Sequence, residues 1–415
     1  MTLLSSGLTA ANNNSKPQPM HNHREKQMTQ GYPLEHLKVL DLSRVLAGPF
    51  AGRMLSDLGA DVVKIEPPDG DITRLWGAVI ADIPGYYHQQ NAGKRNVCID
   101  LRHPQAQAVL LDLVRHADIV IENYRPGVMA RLGLGYDTLH YTNERLIMLS
   151  ISGFGQTGPE SHRPAYAPII HAEAGLIDRS ARRSESSYRD LPLSVADTNA
   201  SLHGLVALLS AVIMREKTGQ GQHIDIAMLD ATMATDDQMH YDLEDSRDTG
   251  PLPNIIWETG AGPILISADF RHLWRQLVQF QLVQDPSTPG MALQQKIAAR
   301  RHVVETYLAD LDSLAAIEAV MTEMNLAWGQ VRNAEGLTDQ PTVKARGSIV
   351  QMDDRAGGTR PVTQSPYRFS GAKSGVKGPA PHRGEHNAQV LEEWLSMPAD
   401  AVDALLETGV LLAER

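Results

Sequence analysis

Between Leu37 and Glu66 the hydrophobic pattern changes period twice, and this restricts the fold more than any other feature of the chain. Leu37-Lys38-Val39-Leu40-Asp41-Leu42 reads as a strand, Gly48 to Leu58 as a helix, and Asp61-Val62-Val63-Lys64-Ile65-Glu66 as a second strand. Two strands joined by a helix of that length form a βαβ unit, which implies a parallel sheet with helices on its faces. The alternation continues with a strand at Val97 to Leu101, a helix over Pro104 to His116, and strands at Ile119 to Glu122 and Leu146 to Ile151. The fold class is therefore α/β, with a Rossmann-like, mostly parallel sheet. Ligands of such sheets bind beyond the carboxyl ends of the strands. That directs attention to the loops Ser43 to Pro49, Glu66 to Trp76, Asn123 to Leu132 and Ser152 to Tyr166.

Residues 1–33 carry Asn12-Asn13-Asn14 and scattered Ser, Gln, His and Pro with no period, and are expected to form a disordered tail. A long helix is predicted from Thr198 or Asn199 to Lys217, stopped by Gly219, with a strand at His223 to Met228 after it. From about residue 245 to 340, Trp257, Trp274 and Trp328 stand among helical segments, Ala292 to Ala309 and Leu314 to Met324, which reads as a smaller second domain. Sheet and loop signals return from Arg346 to Pro366, before a last helix at Val390 to Leu395.

Thirty-eight Lys and Arg against 49 Asp and Glu leave a formal charge of −11, which argues against a nucleic-acid partner. The single cysteine, Cys98, excludes an internal disulfide framework and reads as a buried thiol in a reducing cytoplasm. Gly204 to Met214, the longest apolar stretch, falls short of the roughly 20 residues of a membrane helix, so neither a span nor export is expected. The histidines show no paired helical spacing beside carboxylates, so no metal site is expected. A P-loop, a Gly-x-Gly-x-x-Gly after the first strand and a His-Glu-x-x-His are all absent. Basic residues at the strand ends are more informative. Arg44 follows the first strand, Lys94-Arg95 precede the third, and Arg125 and Arg131 bracket Pro126-Gly127. Together they either neutralise a diphosphate and a 3′-phosphate or form a solvated charged face.

Leu37 to Pro49, Gly59 to Pro68 with Gly70-Asp71 and Arg74, and Asn91 to Asp100 with Gly93-Lys94-Arg95 resemble the opening of class III CoA-transferases. Glu122-Asn123-Tyr124-Arg125-Pro126-Gly127, Ser152 to Pro159, Ala196-Asp197, Lys217 to Asp225 and Gly384-Glu385-His386 follow in that family's order, so the resemblance covers about residues 34 to 395. It implies an interlocked homodimer whose large α/β domain is built from both ends of the chain around a smaller α/β middle domain. On that basis 34–225 and 341–415 form the large, CoA-binding domain, 226–250 a linker and 251–340 the small domain. The resemblance also implies that CoA, a substrate rather than a tightly bound cofactor, lies along Val45, Lys94, Arg95, Asn123, Tyr124, Arg131 and Leu132.

Family chemistry moves CoA from an acyl-CoA, with succinyl-CoA as the expected donor, to a small carboxylic acid. It passes through a mixed anhydride and an enzyme-bound thioester on a carboxylate. Transferases of the family place that carboxylate twelve residues before the Asp of the Ala-Asp pair, here Asp197; counting back without gaps reaches Glu185. The usual Asp-Gly-Pro-Pro context is missing there. Glu185 and Asp197 are therefore the catalytic candidates, with Asp178 and Asp190 as substitutes. The related acyl-CoA racemases need a His-Asp pair where this chain has Ala167 and Pro168, although His171 lies one helical turn away. A catalytically silent acyl-CoA-binding paralogue is the third reading.

Overall fold

The computed structural model describes residues 31–247 and 254–413, so nearly all of the expected tail, and part of the expected linker, lie outside the described residues. The main sheet has six parallel strands: β1 (Lys38–Asp41), β2 (Asp61–Glu66), β3 (Arg95–Cys98), β4 (Ile119–Glu122), β5 (Ile147–Ser152) and β6 (His223–Ala227). Their order is β3-β2-β1-β4-β5-β6. β1 pairs with β2 on one side (Lys38 with Asp61) and with β4 on the other (Val39 with Ile119), so the strand order reverses between β1 and β4. That is the topological switch point at which open α/β sheets bind ligands.

Alternation along each strand fills both faces. Leu40, Val63, Val97, Val120 and Met148 face one core, with α2 (Ala106–Arg115) against them. Val39, Val62, Ile119, Ile121 and Leu149 face the other, under α1 (Ala47–Asp57) and α5 (Val195–Thr218). α5 has 24 residues and enough apolar character to meet the length of a membrane span, yet Ala200, Leu205 and Leu208 are buried against this sheet. It lies close because of Gly204, where an added Cβ would come 3.1 Å from a methyl of Leu149. Gly219, at φ +75°, ends the helix.

Two shorter helices precede α5: α3 (Ala167–Glu173) and α4 (Leu176–Ser184). The C-terminal segment comes back to the first core, where α6 (Asn387–Leu395) inserts Val390, Leu391 and Trp394, and Leu411 bridges Ile99. Trp257, Leu273, Leu308 and Met321 form a separate core over a three-stranded antiparallel sheet of Ile255–Trp257, Ile264–Ile266 and Trp328–Gln330. Residues 226–247 are more helical than a linker requires, with helices at Met228–Ala234 and Met239–Leu243. Cys98 is fully buried in β3.

One boundary differs in a way that bears on the site. α5 begins at Val195, before the capping-type residues Thr198 and Asn199 that mark its expected start. Asp197 thereby enters the first turn of the helix, where unpaired N–H groups favour an acidic side chain.

Candidate active site

A cavity of about 410 Å³ opens at the switch point. All four loops at the strand ends contribute to its wall: Arg44 and Val45 after β1, Ile72 after β2, Asn123 to Pro126 after β4, and Ser152 to Gly153 with Arg163 to Tyr166 after β5. Ile151 and Met228 supply apolar surface, and Asp197 is the one carboxylate lining it among the described residues.

The β1 loop is held by charges buried inside β2. Lys64, at 0 % exposure, donates to the Ser43 carbonyl at 2.7 Å and lies 3.4 Å from the Asp71 carboxylate. Asp71 accepts the Val45 N–H at 3.1 Å, with Val45 in the left-handed region at φ +67°. A branched side chain rarely adopts that conformation, so the loop keeps it only because its surroundings fix it. Burial pushes the Asp71 carboxyl up, but Lys64 and the N–H groups of Thr73 and Val45 outweigh burial and leave it below its ordinary value. Glu66 anchors the segment's other end, accepting from Arg74 Nη2 and Nε at 2.7 and 3.0 Å, from the Tyr87 hydroxyl at 3.0 Å and from the Asn96 amide. Sequence reasoning assigned no role to Lys64, Glu66 or Asp71; the available signal was Lys64 and Glu66 interrupting the apolar run that begins at Val62.

Asp197 is set by three helix starts. The backbone N–H groups of Ala47 and Ala167, the first residues of α1 and α3, and its own N–H in the first turn of α5 all draw its carboxyl down. Burial pushes the carboxyl up to about 6 against the pull of these donors. Helix termini of this kind contribute about 0.3–1 kcal/mol each, and here desolvation is the larger effect. Arg44 brings a guanidinium whose Nε is buried with no hydrogen-bond partner among the described residues, as is the Ser152 hydroxyl. Both are polar groups at the wall suited to an anionic oxygen. Arg163 stacks its guanidinium 4.6 Å from the Phe154 ring and pairs with Glu160 and Glu173 at 2.8 and 2.6 Å.

The residues named from the sequence divide into two groups. Val45, Asn123, Tyr124 and Asp197 come together on the cavity wall. Lys94 is buried instead, with its ammonium donating to Asp41 and the Pro49 carbonyl at 2.8 Å and to Asn91 at 2.9 Å. Arg95 is taken by Asp61 at 2.5 Å and Glu393 at 2.6 Å. Arg131 is exposed, and Leu132 packs against the first core. Glu185 is exposed at the C-terminal cap of α4, in a left-handed conformation at φ +49°, away from the wall. Of the substitutes, Asp178 pairs with Arg182 at 2.7 Å and Asp190 with His171 at 2.8 Å.

A parallel sheet whose switch-point cavity is lined by Arg44, Arg125 and Arg163 and holds one desolvated carboxylate is suited to an anionic substrate. Comparison with known proteins identifies which kind. Residues 34–387 match the family model for CoA-transferase family III. The succinate–glutarate CoA-transferase of Agrobacterium fabrum is 33% identical over 384 residues, covering 87% of this chain and 95% of that protein. The succinyl-CoA:glutarate CoA-transferase of Homo sapiens is 28% identical over 406 residues, covering 93% of this chain and 92% of that protein. The crystal structure of a CAIB/BAIF family protein from Brucella suis superposes with a TM-score of 0.76 at 28% identity, over 88% of this chain and 100% of that one. The chain belongs to CoA-transferase family III. It is an enzyme that moves CoA from an acyl-CoA to a carboxylic acid.

Proposed function

We propose that the donor is succinyl-CoA, that the acceptor is a small carboxylic acid with glutarate the first to test, and that Asp197 is the carboxylate carrying the transfer. The supporting observation is the place of Asp197: on the cavity wall, desolvated, and facing the N–H groups of Ala47 and Ala167. With its carboxyl pushed up to about 6, it is more basic than an ordinary aspartate. It is still about nine-tenths ionised at pH 7.

The Asp197 carboxylate attacks the acyl carbonyl of succinyl-CoA, the CoA thiolate leaves, and a mixed anhydride forms. The thiolate then attacks the Asp197 carbonyl, succinate departs, and CoA remains as a thioester on the side chain. The acceptor carboxylate attacks this thioester and expels the thiolate, giving a second anhydride. Return of the thiolate to the acceptor's carbonyl releases the new acyl-CoA and regenerates Asp197. In each tetrahedral step at Asp197, the N–H groups of Ala47 and Ala167 already face the oxygen that gains charge. CoA lies along Val45, Asn123 and Tyr124, and Arg44 and Arg125 meet its phosphates or the acid.

A second reading keeps Glu185 as the carrier. Its gapless twelve-residue spacing from Asp197 and its left-handed backbone favour it. The racemase reading has less support, because Ala167 and Pro168 open α3 where an acid–base pair is needed. The chain is further proposed to form a cytoplasmic homodimer, with the small domain completing the acid pocket and the two ends of the chain sharing the large one.

The test is to incubate the enzyme with succinyl-CoA, trap with hydroxylamine or borohydride, and map tryptic peptides. Residues 184–189 and 190–215 separate Glu185 from Asp197. Modification of the second peptide at Asp197 supports the proposal, and modification of the first transfers the role to Glu185. No adduct together with deuterium exchange at the α-carbon points to the racemase.

A further inference from the structure

We propose that His171 and Asp190 form a clamp that positions the first turn of α5, and with it the Asp197 carboxylate, for CoA transfer. This rests on Asp197 being the carrier. His171 lies on α3 and is 1 % exposed. Its Nε2 accepts the Ala196 N–H at 3.2 Å, so the ring proton is on Nδ1, which donates to the Asp190 carboxylate at 2.8 Å. Both nitrogens are committed, so the ring is a support here and not an open base.

The bond to Ala196 takes the place of a helix cap. The N–H of the second helical residue is ordinarily satisfied by the side chain of the helix's own N-cap residue. Ser194 occupies that position in α5 and makes no such bond. The acceptor comes from a different helix instead, one residue before the carboxylate it serves. Asp190 extends the clamp along the chain, since the same carboxylate oxygen accepts the Leu191 N–H at 2.8 Å. The segment joining Glu185 to Asp197 is thereby fastened to α3, whose first N–H, on Ala167, points at Asp197. Releasing the clamp lets the first turn of α5 move relative to the Ala47 and Ala167 donors. A displacement of about 1 Å is enough to cost about a hundredfold in rate.

The experiment compares His171→Leu, His171→Gln and Asp190→Ala in the full-length enzyme. It uses steady-state kinetics with succinyl-CoA and glutarate, together with amide exchange across residues 190–197. Asp190 is 41 % exposed, so its truncation spares the core even where a substitution at His171 disturbs it. Expected are a fall of about a hundredfold in kcat for His171→Leu and Asp190→Ala, a change of less than about threefold in KM for succinyl-CoA, and faster exchange at Leu191 or Ala196. His171→Gln offers an amide oxygen to Ala196 and is expected to recover about tenfold or more. The clamp is overturned if both truncations keep kcat within about twofold of the parent, or if the Gln variant is no better than the Leu variant. Fragment sequencing of the trapped peptide separates Asp190 from Asp197. If the label lies on Glu185, the Asp197 reading fails and amide exchange alone decides the clamp, with unchanged exchange in His171→Leu overturning it.

Discussion

Asn123 holds Arg44 by both of its backbone groups, accepting the Arg44 N–H at 2.7 Å and donating to the Arg44 carbonyl at 2.7 Å. The two residues stand on loops leaving adjacent strands in diverging directions, so this pair of bonds fixes the width of the cavity mouth at the switch point. Asn123→Asp keeps an acceptor but replaces the donor by a charge facing a carbonyl. One lost bond and one repulsion amount to about 1–2 kcal/mol. The expected result is a rise of roughly tenfold in KM for succinyl-CoA with a smaller change in kcat. A variant with unchanged KM would show that the loops hold their spacing without Asn123.

Lys94 and Arg95 are adjacent in sequence but differ in what they hold, and their substitution should separate accordingly. Lys94 and Asp41 are a fully buried ion pair 2.8 Å apart. Removing one member of such a pair costs about 3–5 kcal/mol, because the other is left uncompensated. Lys94→Met is therefore expected to lose much of the enzyme's stability, measured by urea or thermal unfolding. Arg95 pairs with partly exposed carboxylates, each such pair contributing about 0–1 kcal/mol. Arg95→Ala is expected to leave KM for succinyl-CoA within about twofold of the parent. A tenfold rise would restore Arg95 to the CoA site.

The contrast between Lys94 and Asn123 also marks how far the sequence reaches. Buried parallel strands are short apolar runs, so the six strands and the loops at their ends were legible from local pattern. The ordered motifs then supplied the chemistry. What local pattern does not carry is direction. Lys94 looks like a phosphate ligand in one dimension and turns inward because Asp41, fifty-three positions earlier, meets it. Asp197 was legible as a motif residue, but its N–H donors come from α1 and α3, and its helix starts earlier than capping residues suggest. Glu185 is the converse case: its spacing is clear in the sequence, and only the fold places it on an exposed helix cap.

Glu122 ends β4 with its side chain buried beneath the cavity loop. Burial pushes its carboxyl up to about 7, opposed by hydrogen bonds from Ser150 and from the Tyr124 N–H. Because its value is raised above that of the unfolded chain, ionisation costs stability. The cost begins near the ordinary carboxylate range and is complete only above about 7. Glu122→Gln keeps an acceptor for Tyr124 and never ionises. It is expected to stabilise the protein, and by about 1–2 kcal/mol more at pH 8 than at pH 5.5, read from paired unfolding curves. An equal effect at both pH values would mean that Glu122 ionises freely in the folded protein.

Asp197 should give its own pH signature in activity. Below about 6 the carboxyl is protonated in the folded enzyme and cannot attack the thioester; above it, the nucleophile is present. kcat/KM for succinyl-CoA is therefore expected to fall about tenfold per pH unit on the acid side, with the bend near 6 rather than near 4. Tyr86 and His171 are the other titratable groups that interact with this carboxylate. Burial and the Asp197 charge push the Tyr86 hydroxyl up to about 12, which keeps it neutral throughout the range. The yield of hydroxylamine-trapped adduct should follow the same curve, because it depends on the same ionisation. Asp197→Asn is expected to reduce turnover by about a thousandfold or more and to abolish the adduct. An adduct that forms elsewhere in Asp197→Asn would assign the nucleophile to another carboxylate, with Glu185 the first to substitute.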